Sequence, residues 1–129
     1  MFLAVAMLAA STCVVLAGSE EETEMVGGYE VTYEAYCYAS YGGASTSVYT
    51  PSWVETEVDA SVTLYAYGGE GFNVRLEGST YDYDDWYVDV VISVSSPGYV
   101  GDHVTTTHTA YVNAGEPDSG SAKLYVYYE

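Results

Sequence analysis

Residues 53–67 read WVETEVDASVTLYAY and alternate between apolar and polar side chains along almost their whole length. Thr56 is the one polar member of a set that is otherwise apolar or small: Val54, Val58, Ala60, Val62, Leu64 and Ala66. Because successive side chains of a strand point to opposite faces, this period of two predicts a β-strand with one buried face. Such a face must pack against a second apolar layer, so this stretch decides the fold class.

The same alternation recurs on both sides of this stretch. The further runs are residues 29–41, 72–79, 86–95, 103–113 and 121–128, and a short additional strand is predicted at residues 45–50. The predicted inward faces include Cys37, Phe72, Trp86, His108 and Leu124. The chain is therefore predicted to contain six or seven strands.

Turn-forming sequences lie between these runs. They are the Gly pair at 42–43, PS at 51–52, the Gly pair at 68–69, GSTYDYDD at 78–85, SPG at 96–98 and AGEPDSG at 114–120. Many short strands separated by turns are typical of an antiparallel β-sandwich. We therefore expect an all-β fold of two stacked antiparallel sheets at residues 29–129, preceded by an apolar N-terminal segment.

The last predicted hairpin, HTAYVNAGEPDSGSAKLYVYY at residues 108–128, resembles the closing strand pair of immunoglobulin-like modules. These modules occur in bacterial and archaeal surface or pilus-like proteins. The resemblance covers this hairpin alone. It implies an immunoglobulin-like arrangement of the sandwich and no particular activity.

The N-terminus, MFLAVAMLAASTCVVLA at residues 1–17, carries no charge and is followed directly by the acidic residues 18–24. This change is typical of a secretory signal peptide, with cleavage expected after Ala17 and an extracellular or cell-surface location. The alternative is that the segment is retained and packs between neighbouring subunits. Residues 18–28 are interpreted as an acidic, Gly-containing tether.

The charge balance excludes two classes of partner. Nineteen Asp and Glu stand against two Lys and Arg, so the formal net charge is −17. Binding to a phosphate backbone needs several basic side chains, and Arg75 and Lys123 are the only ones in the chain. We therefore expect no nucleic-acid partner and no docking on an anionic membrane surface.

The densest group of acids lies at residues 81–89, YDYDDWYVD. Oxygen-rich segments suit Ca²⁺, which binds several carboxylate and carbonyl oxygens. The candidate calcium ligands are Asp82, Asp84, Asp85 and Asp89. The alternative is a solvated acidic turn whose Asp side chains bond their own backbone.

Two histidines, His103 and His108, are separated by five positions in one predicted strand and should lie on opposite faces. They are therefore not expected to share a metal ion. Since the chain also carries no recognised catalytic motif, we do not expect an enzyme.

Tyrosine is the most informative residue type, with sixteen copies in the chain. Eight of them fall on predicted outward faces: Tyr36, Tyr38, Tyr65, Tyr67, Tyr87, Tyr111, Tyr125 and Tyr127. Neighbouring exposed aromatic side chains indicate a contact surface, because an ordinary monomer scatters them singly. The alternative is that tyrosine serves only as a good strand former.

These features favour an extracellular structural module that assembles with copies of itself. One alternative is a secreted module that binds cell-surface glycan or Ca²⁺, with Trp86 and Tyr87 stacking on sugar rings. A small secreted toxin or bacteriocin is a further alternative.

Overall fold

The computed structural model describes residues 18–68, 74–94 and 96–128, with the backbone alone at residues 74–78. Its described residues form eight strands: β1 (Ser19–Val26), β2 (Tyr29–Cys37), β3 (Tyr41–Val48), β4 (Glu55–Gly68), β5 (Val74–Asp84), β6 (Tyr87–Ser93), β7 (Tyr99–Asn113) and β8 (Pro117–Tyr127). Among these residues there is no helix with the length and apolar character that crossing a membrane requires.

The strands form two antiparallel four-stranded sheets. Sheet A has the order β1-β2-β3-β6, and sheet B has the order β5-β4-β7-β8. The chain crosses from sheet A to sheet B after β3, returns for β6, and crosses again for β7 and β8. The prediction of an all-β fold with two antiparallel sheets is confirmed.

The core lies between the sheets and is built by the predicted alternation. In β4, every second residue from Thr56 to Ala66 is buried. Tyr33 and His108 are the largest side chains that are fully buried. Cys37 is buried and unpaired, and burial raises its pKa to about 11, so the thiol stays protonated. The inward faces predicted for β2, β4, β7 and β8 are therefore confirmed.

The segment interpreted as a tether is a strand. All eight residues of β1 pair with β2, and the two strands are joined by Gly27 and Gly28. Both glycines have positive φ angles, 59° and 90°, which a type I′ hairpin turn requires and which glycine adopts without strain. The tether interpretation is therefore wrong for residues 19–26, and the domain begins earlier than expected.

Four predicted turns lie inside or partly inside strands. Gly42 and Gly43 belong to β3, which also contains most of the short strand predicted at residues 45–50. A side chain at Gly43 would collide with the ring of Tyr36, so glycine serves here to admit an aromatic ring and not to form a turn. Gly68 ends β4, residues 78–84 continue β5, and β8 begins at Pro117 within the predicted turn at residues 114–120.

Trp86 was predicted to point inward, and this prediction is wrong. The residue precedes β6 in the turn after β5, and 46 % of its surface is exposed. The alternation that follows it is as expected, because Val88 and Val90 are buried. The expectations for Phe72, for residues 1–17 and for the side chains of residues 74–78 lie outside what the structure describes.

Candidate interaction surfaces

An aromatic cluster occupies the outer face of sheet B. His103 lies at its centre, and its ring stacks on that of Tyr65 with a centroid distance of 4.4 Å and an interplanar angle of 13°. On its other side, His103 contacts Tyr125 and Tyr127 at centroid distances of 5.1 and 5.3 Å. We call Tyr65, His103, Tyr125 and Tyr127 the sheet-B patch.

Strand register explains why these four residues meet. Tyr65 of β4, His103 of β7 and Tyr127 of β8 lie directly opposite one another across three adjacent strands. The pairing of β4 with β7 then shifts after Tyr65, because Asp102 is an extra residue in β7. Such a bulge redirects side chains locally. Here the Asp102 carboxylate lies 2.7 Å from His103 Nδ1.

The phenol groups of this patch also contact one another. The hydroxyls of Tyr125 and Tyr127 are 3.0 Å apart, and each ring is about half exposed. The hydrogen bond with Tyr127 is the main cause that raises the pKa of Tyr125 to about 12. The phenol of Tyr125 is therefore uncharged at neutral pH, and Asp102 borders the patch.

A second cluster lies on the outer face of sheet A. Tyr36, Tyr38 and Tyr41 contact one another with ring centroids 5.1 to 6.1 Å apart. The Tyr36 hydroxyl donates a 2.8 Å hydrogen bond to Asp89. Burial, followed by this hydrogen bond, raises the pKa of Tyr36 well above its ordinary value. We call Tyr36, Tyr38 and Tyr41 the sheet-A patch.

The eight tyrosines predicted to face outward do not form a single surface. None of them is buried, but they divide between two outer faces and both ends of the sandwich. Tyr67 lines a cleft with Tyr128, Tyr87 lies beside Ser47 on sheet A, and Tyr111 accepts a 3.4 Å hydrogen bond from Asn113. The prediction of outward placement is confirmed for these residues, and their role in contacts stays a prediction.

The structure separates the four candidate calcium ligands. Asp82 and Asp84 lie in β5 of sheet B, Asp85 follows in the turn, and Asp89 lies in β6 of sheet A. Asp82 and Asp84 accept hydrogen bonds from the backbone N–H of the next residue, at 2.8 and 2.7 Å. In the part of the chain that the structure describes, no three His, Cys, Asp or Glu residues form a group suited to a metal ion. The calcium hypothesis gains no support from this geometry.

Carboxylates line the inner side of two edge strands. In β1, every second residue from Glu20 to Glu24 lies opposite a buried residue of β2 and is therefore on the side of the strand that faces the other sheet. These residues are the acids Glu20, Glu22 and Glu24. Glu24 accepts a 2.8 Å hydrogen bond from the buried Tyr33 hydroxyl. In β5, Asp82 and Asp84 lie opposite the buried Ala60 and Val58 in the same way. Inward-pointing charges are a known device that prevents a further strand from pairing with a sheet edge.

The two histidines lie on opposite faces of β7, as expected. His108 is buried, with Nδ1 2.9 Å from the Thr46 hydroxyl and Nε2 2.7 Å from the Thr106 hydroxyl. Thr46 donates its own proton to the Asp59 carbonyl, so Nδ1–H must donate to Thr46 and Nε2 must accept from Thr106. Burial lowers the pKa of His108 to about 4, so it is a neutral core residue.

Sequence reasoning missed several exposed aromatic residues. Tyr41 ends the run predicted at residues 29–41, Tyr81 falls in the predicted turn at residues 78–85, and Tyr49 lies near the end of the short predicted strand. The sequence predicts that His103 faces outward, but it does not indicate that tyrosine rings surround it. Its position opposite Tyr65 and Tyr127 depends on register, which alternation does not define.

Comparison with protein-family models finds no match for this chain, and a search of curated proteins finds no significant relative.

Proposed function

We propose that this chain is an extracellular structural module that assembles with copies of itself through the outer faces of its sandwich. The observation that carries the proposal is the pair of aromatic patches, one on each outer face. The proposal includes an immunoglobulin-like arrangement of the sandwich, which is common among surface modules.

The composition of the patches favours protein contact. Their rings supply broad apolar area, while their hydroxyls remain bonded in water, and tyrosine is enriched at protein interfaces for this reason. When two different patches of one subunit meet those of its neighbours, the contact is heterologous. If its rotation does not close a ring, the product is a filament.

Two of the four sheet edges argue against assembly by strand addition. Both β1 and β5 are edge strands, and both carry carboxylates on their inner side. A strand from another copy pairing there would cover these charges and pay for their desolvation. Contacts through the faces avoid this cost.

Net charge sets the condition for assembly. With a formal charge of −17, copies repel one another at low ionic strength. Salt at about 1 M shortens the Debye length to about 3 Å, so the repulsion is screened while apolar contacts remain. We therefore expect assembly to begin only as salt is raised.

Sedimentation velocity of the full chain in low salt and in about 1 M NaCl tests the proposal. We expect a monomer in low salt and larger species in high salt. Replacing Tyr125 and Tyr127 by Thr, or Tyr38 and Tyr41 by Thr, should each shift the high-salt species toward the monomer. Thr is chosen because it fits a strand.

The matched control is the double variant Tyr81→Thr/Tyr83→Thr, which removes two other exposed tyrosines of sheet B outside the patch. It should assemble like the unaltered chain. A protein that stays monomeric in high salt would overturn the proposal. So would equal loss of assembly in the control, because tyrosine exposure in general would then be responsible.

A further inference from the structure

At one end of the sandwich, the outer face of sheet A and two adjoining loops form an aromatic groove that lies outside the two aromatic patches. It lies at the end opposite the β2–β3 turn and has a volume of about 500 Å³. Its lining combines aromatic rings with hydroxyl and carboxylate groups: Glu30, Thr32, Ser47, Tyr49, Trp86 and Tyr87. A second cleft of about 280 Å³ adjoins it and shares Tyr49 and Trp86.

Hydrogen bonds to the backbone hold the walls of the groove. The carbonyl of Trp86 accepts a 2.9 Å bond from Val48 N–H, which ties the β5–β6 turn to the end of β3. The preceding carbonyl, of Asp85, accepts a 2.7 Å bond from the Thr56 hydroxyl. The backbone that carries Trp86 is therefore fixed before any ligand arrives, which lowers the entropic cost of binding.

The aromatic rings in this groove are available to a ligand. Tyr49 is 95 % exposed, Tyr87 is 57 % exposed and Trp86 is 46 % exposed. Flat rings exposed beside hydroxyl groups match a ligand that has an apolar face and a polar rim. A pyranose ring has this form, because its C–H groups make a flat apolar face and its hydroxyls radiate from the edge.

An unbonded hydroxyl at a residue that lines the second cleft is an independent sign of a missing partner. Thr50 Oγ1 is shielded from solvent and forms no hydrogen bond with the described residues. Thr50 lines the cleft together with Ser52, next to the shared rings of Tyr49 and Trp86. A buried hydroxyl without a partner is costly, so a ligand hydroxyl that displaced the cleft wall and bonded Thr50 Oγ1 would be favoured.

Charge selects among possible sugars. Glu30 lies at the groove, and the whole chain carries a formal charge of −17. Sulfated and uronic-acid polysaccharides would therefore be repelled. A neutral sugar meets no such repulsion, and the Glu30 carboxylate can accept hydrogen bonds from its hydroxyls.

We propose that this groove binds a neutral oligosaccharide chain. One ring stacks on Trp86 and Tyr49, and the cleft wall shifts so that a hydroxyl of the same chain bonds the Thr50 hydroxyl. This site is separate from the sheet-A and sheet-B patches, so its failure would leave the assembly proposal standing.

Titration calorimetry of the full chain at low salt tests the proposal with three neutral probes, cellohexaose, laminarihexaose and mannohexaose, and one anionic probe, polygalacturonate. We expect at least one neutral hexasaccharide to bind at millimolar concentration or below, and polygalacturonate not to bind. Trp86→Ala should weaken binding about tenfold or more.

Two further variants separate binding from folding. Thr50→Val keeps the shape of the side chain and removes the unbonded hydroxyl, so the protein should be at least as stable while its affinity falls several-fold. Trp53→Ala is the matched control, because Trp53 is 70 % exposed in the same loop and does not line either cleft. It should bind like the unaltered chain.

Several results would overturn the proposal. These are no binding of any neutral probe at millimolar concentration, stronger binding of polygalacturonate, or affinity that Trp86→Ala and Thr50→Val leave unchanged. A salt-independent dimer that Trp86→Ala dissociates would also overturn it, because the groove would then be covered by a second copy.

Discussion

His108 is a buried side chain that bonds both sheets and makes the stability of the fold depend on pH. Both ring nitrogens bond threonine hydroxyls, one from β3 and one from β7, and the imidazole is 1 % exposed. The neutral ring can form both hydrogen bonds, because one nitrogen donates and the other accepts. Protonation would place a charge in the core, which is why burial lowers the pKa to about 4.

We expect His108 to make the protein less stable in acid. The unfolded chain takes up a proton near pH 6.5, whereas the folded chain resists it down to about pH 4. The unfolded state therefore binds more protons in this window, and the contribution of His108 to the free energy of unfolding falls by about 3 kcal/mol as the pH drops from 7 to 4. Urea unfolding of the unaltered chain and of His108→Gln across this range measures the difference.

The two pH profiles should converge as the pH falls, because Gln lacks the titrating group. An NMR titration of the His108 ring in the folded chain gives a second readout that does not depend on a stable variant. Identical pH dependence of both proteins, or a ring that protonates near pH 6.5, would contradict this explanation.

Gly43 and Tyr36 form a matched pair across β2 and β3. They lie directly opposite each other, and a Cβ atom at Gly43 would overlap the Tyr36 ring. We expect Gly43→Ala to displace the ring, to break its hydrogen bond with Asp89 and to cost about 1 to 3 kcal/mol of stability. Chemical unfolding measures this cost.

The double-mutant cycle with Tyr36→Ala is the control. In that background the space above Gly43 is open, so Gly43→Ala should cost much less. Equal costs in both backgrounds would mean that the glycine is needed for a reason other than the ring.

The acidic residues on the inner side of β1 make the stability of the protein depend on pH. Burial raises the pKa of Glu20, and burial together with the neighbouring Glu20 and Glu24 raises that of Glu22. A carboxyl whose pKa is raised in the folded state stabilises the protein only when protonated. The stabilisation is present in acid and is lost as the pH rises through the folded-state pKa.

We therefore expect Glu20→Gln/Glu22→Gln to be more stable than the unaltered chain at pH 7, with the difference shrinking in acid. Glu21→Gln is the control, because Glu21 lies on the same strand but is exposed on the outer face. Thermal melts of the three proteins at pH 7 and pH 4 provide the comparison. A gain from Glu21→Gln as large as that of the double variant, after allowing for one charge instead of two, would assign the effect to net charge alone.

Alternation predicts which face a residue takes, and this explains what the sequence could and could not reveal. It succeeded for β4, whose inner residues are apolar or small apart from Thr56. It failed for β1, because Glu20, Glu22 and Glu24 make the inner face of that strand look exposed. The Gly27–Gly28 pair before Tyr29 was the available hairpin signal. Trp86 was misplaced because the alternation of β6 was extended one residue into the preceding turn.

Strand order could not be predicted from the same evidence. The pairings of β3 with β6 and of β4 with β7 join segments far apart in the chain, and alternation does not specify neighbours. The sheet-B patch and the groove depend on such order, whereas the sheet-A patch comes from the consecutive strands β2 and β3. Tyr65 and His103 meet only because β4 lies beside β7, and the groove forms only because the β5–β6 turn returns to the end of β3.

For the whole molecule, the dominant force beyond the core is repulsion among its own acids. The formal charge of −17 is spread over a domain with two edge strands that bring carboxylates toward the core. Repulsion of this kind is relieved by unfolding, which moves the charges apart, so it destabilises the folded state. Screening should therefore strengthen the fold before it permits any assembly.

We expect the urea midpoint of unfolding to rise as NaCl increases from about 0.01 to about 0.15 M, where the Debye length falls from about 30 to about 8 Å. Lys123→Glu makes the formal charge more negative by two charges at an exposed position of β8, so its midpoint should be lower in low salt and should rise more steeply. Sodium perchlorate at equal concentration separates screening from specific ion effects, since screening depends on ionic strength alone. If the midpoint does not respond to either salt, or if the two salts act in opposite directions, then repulsion among the carboxylates does not limit the stability of this domain.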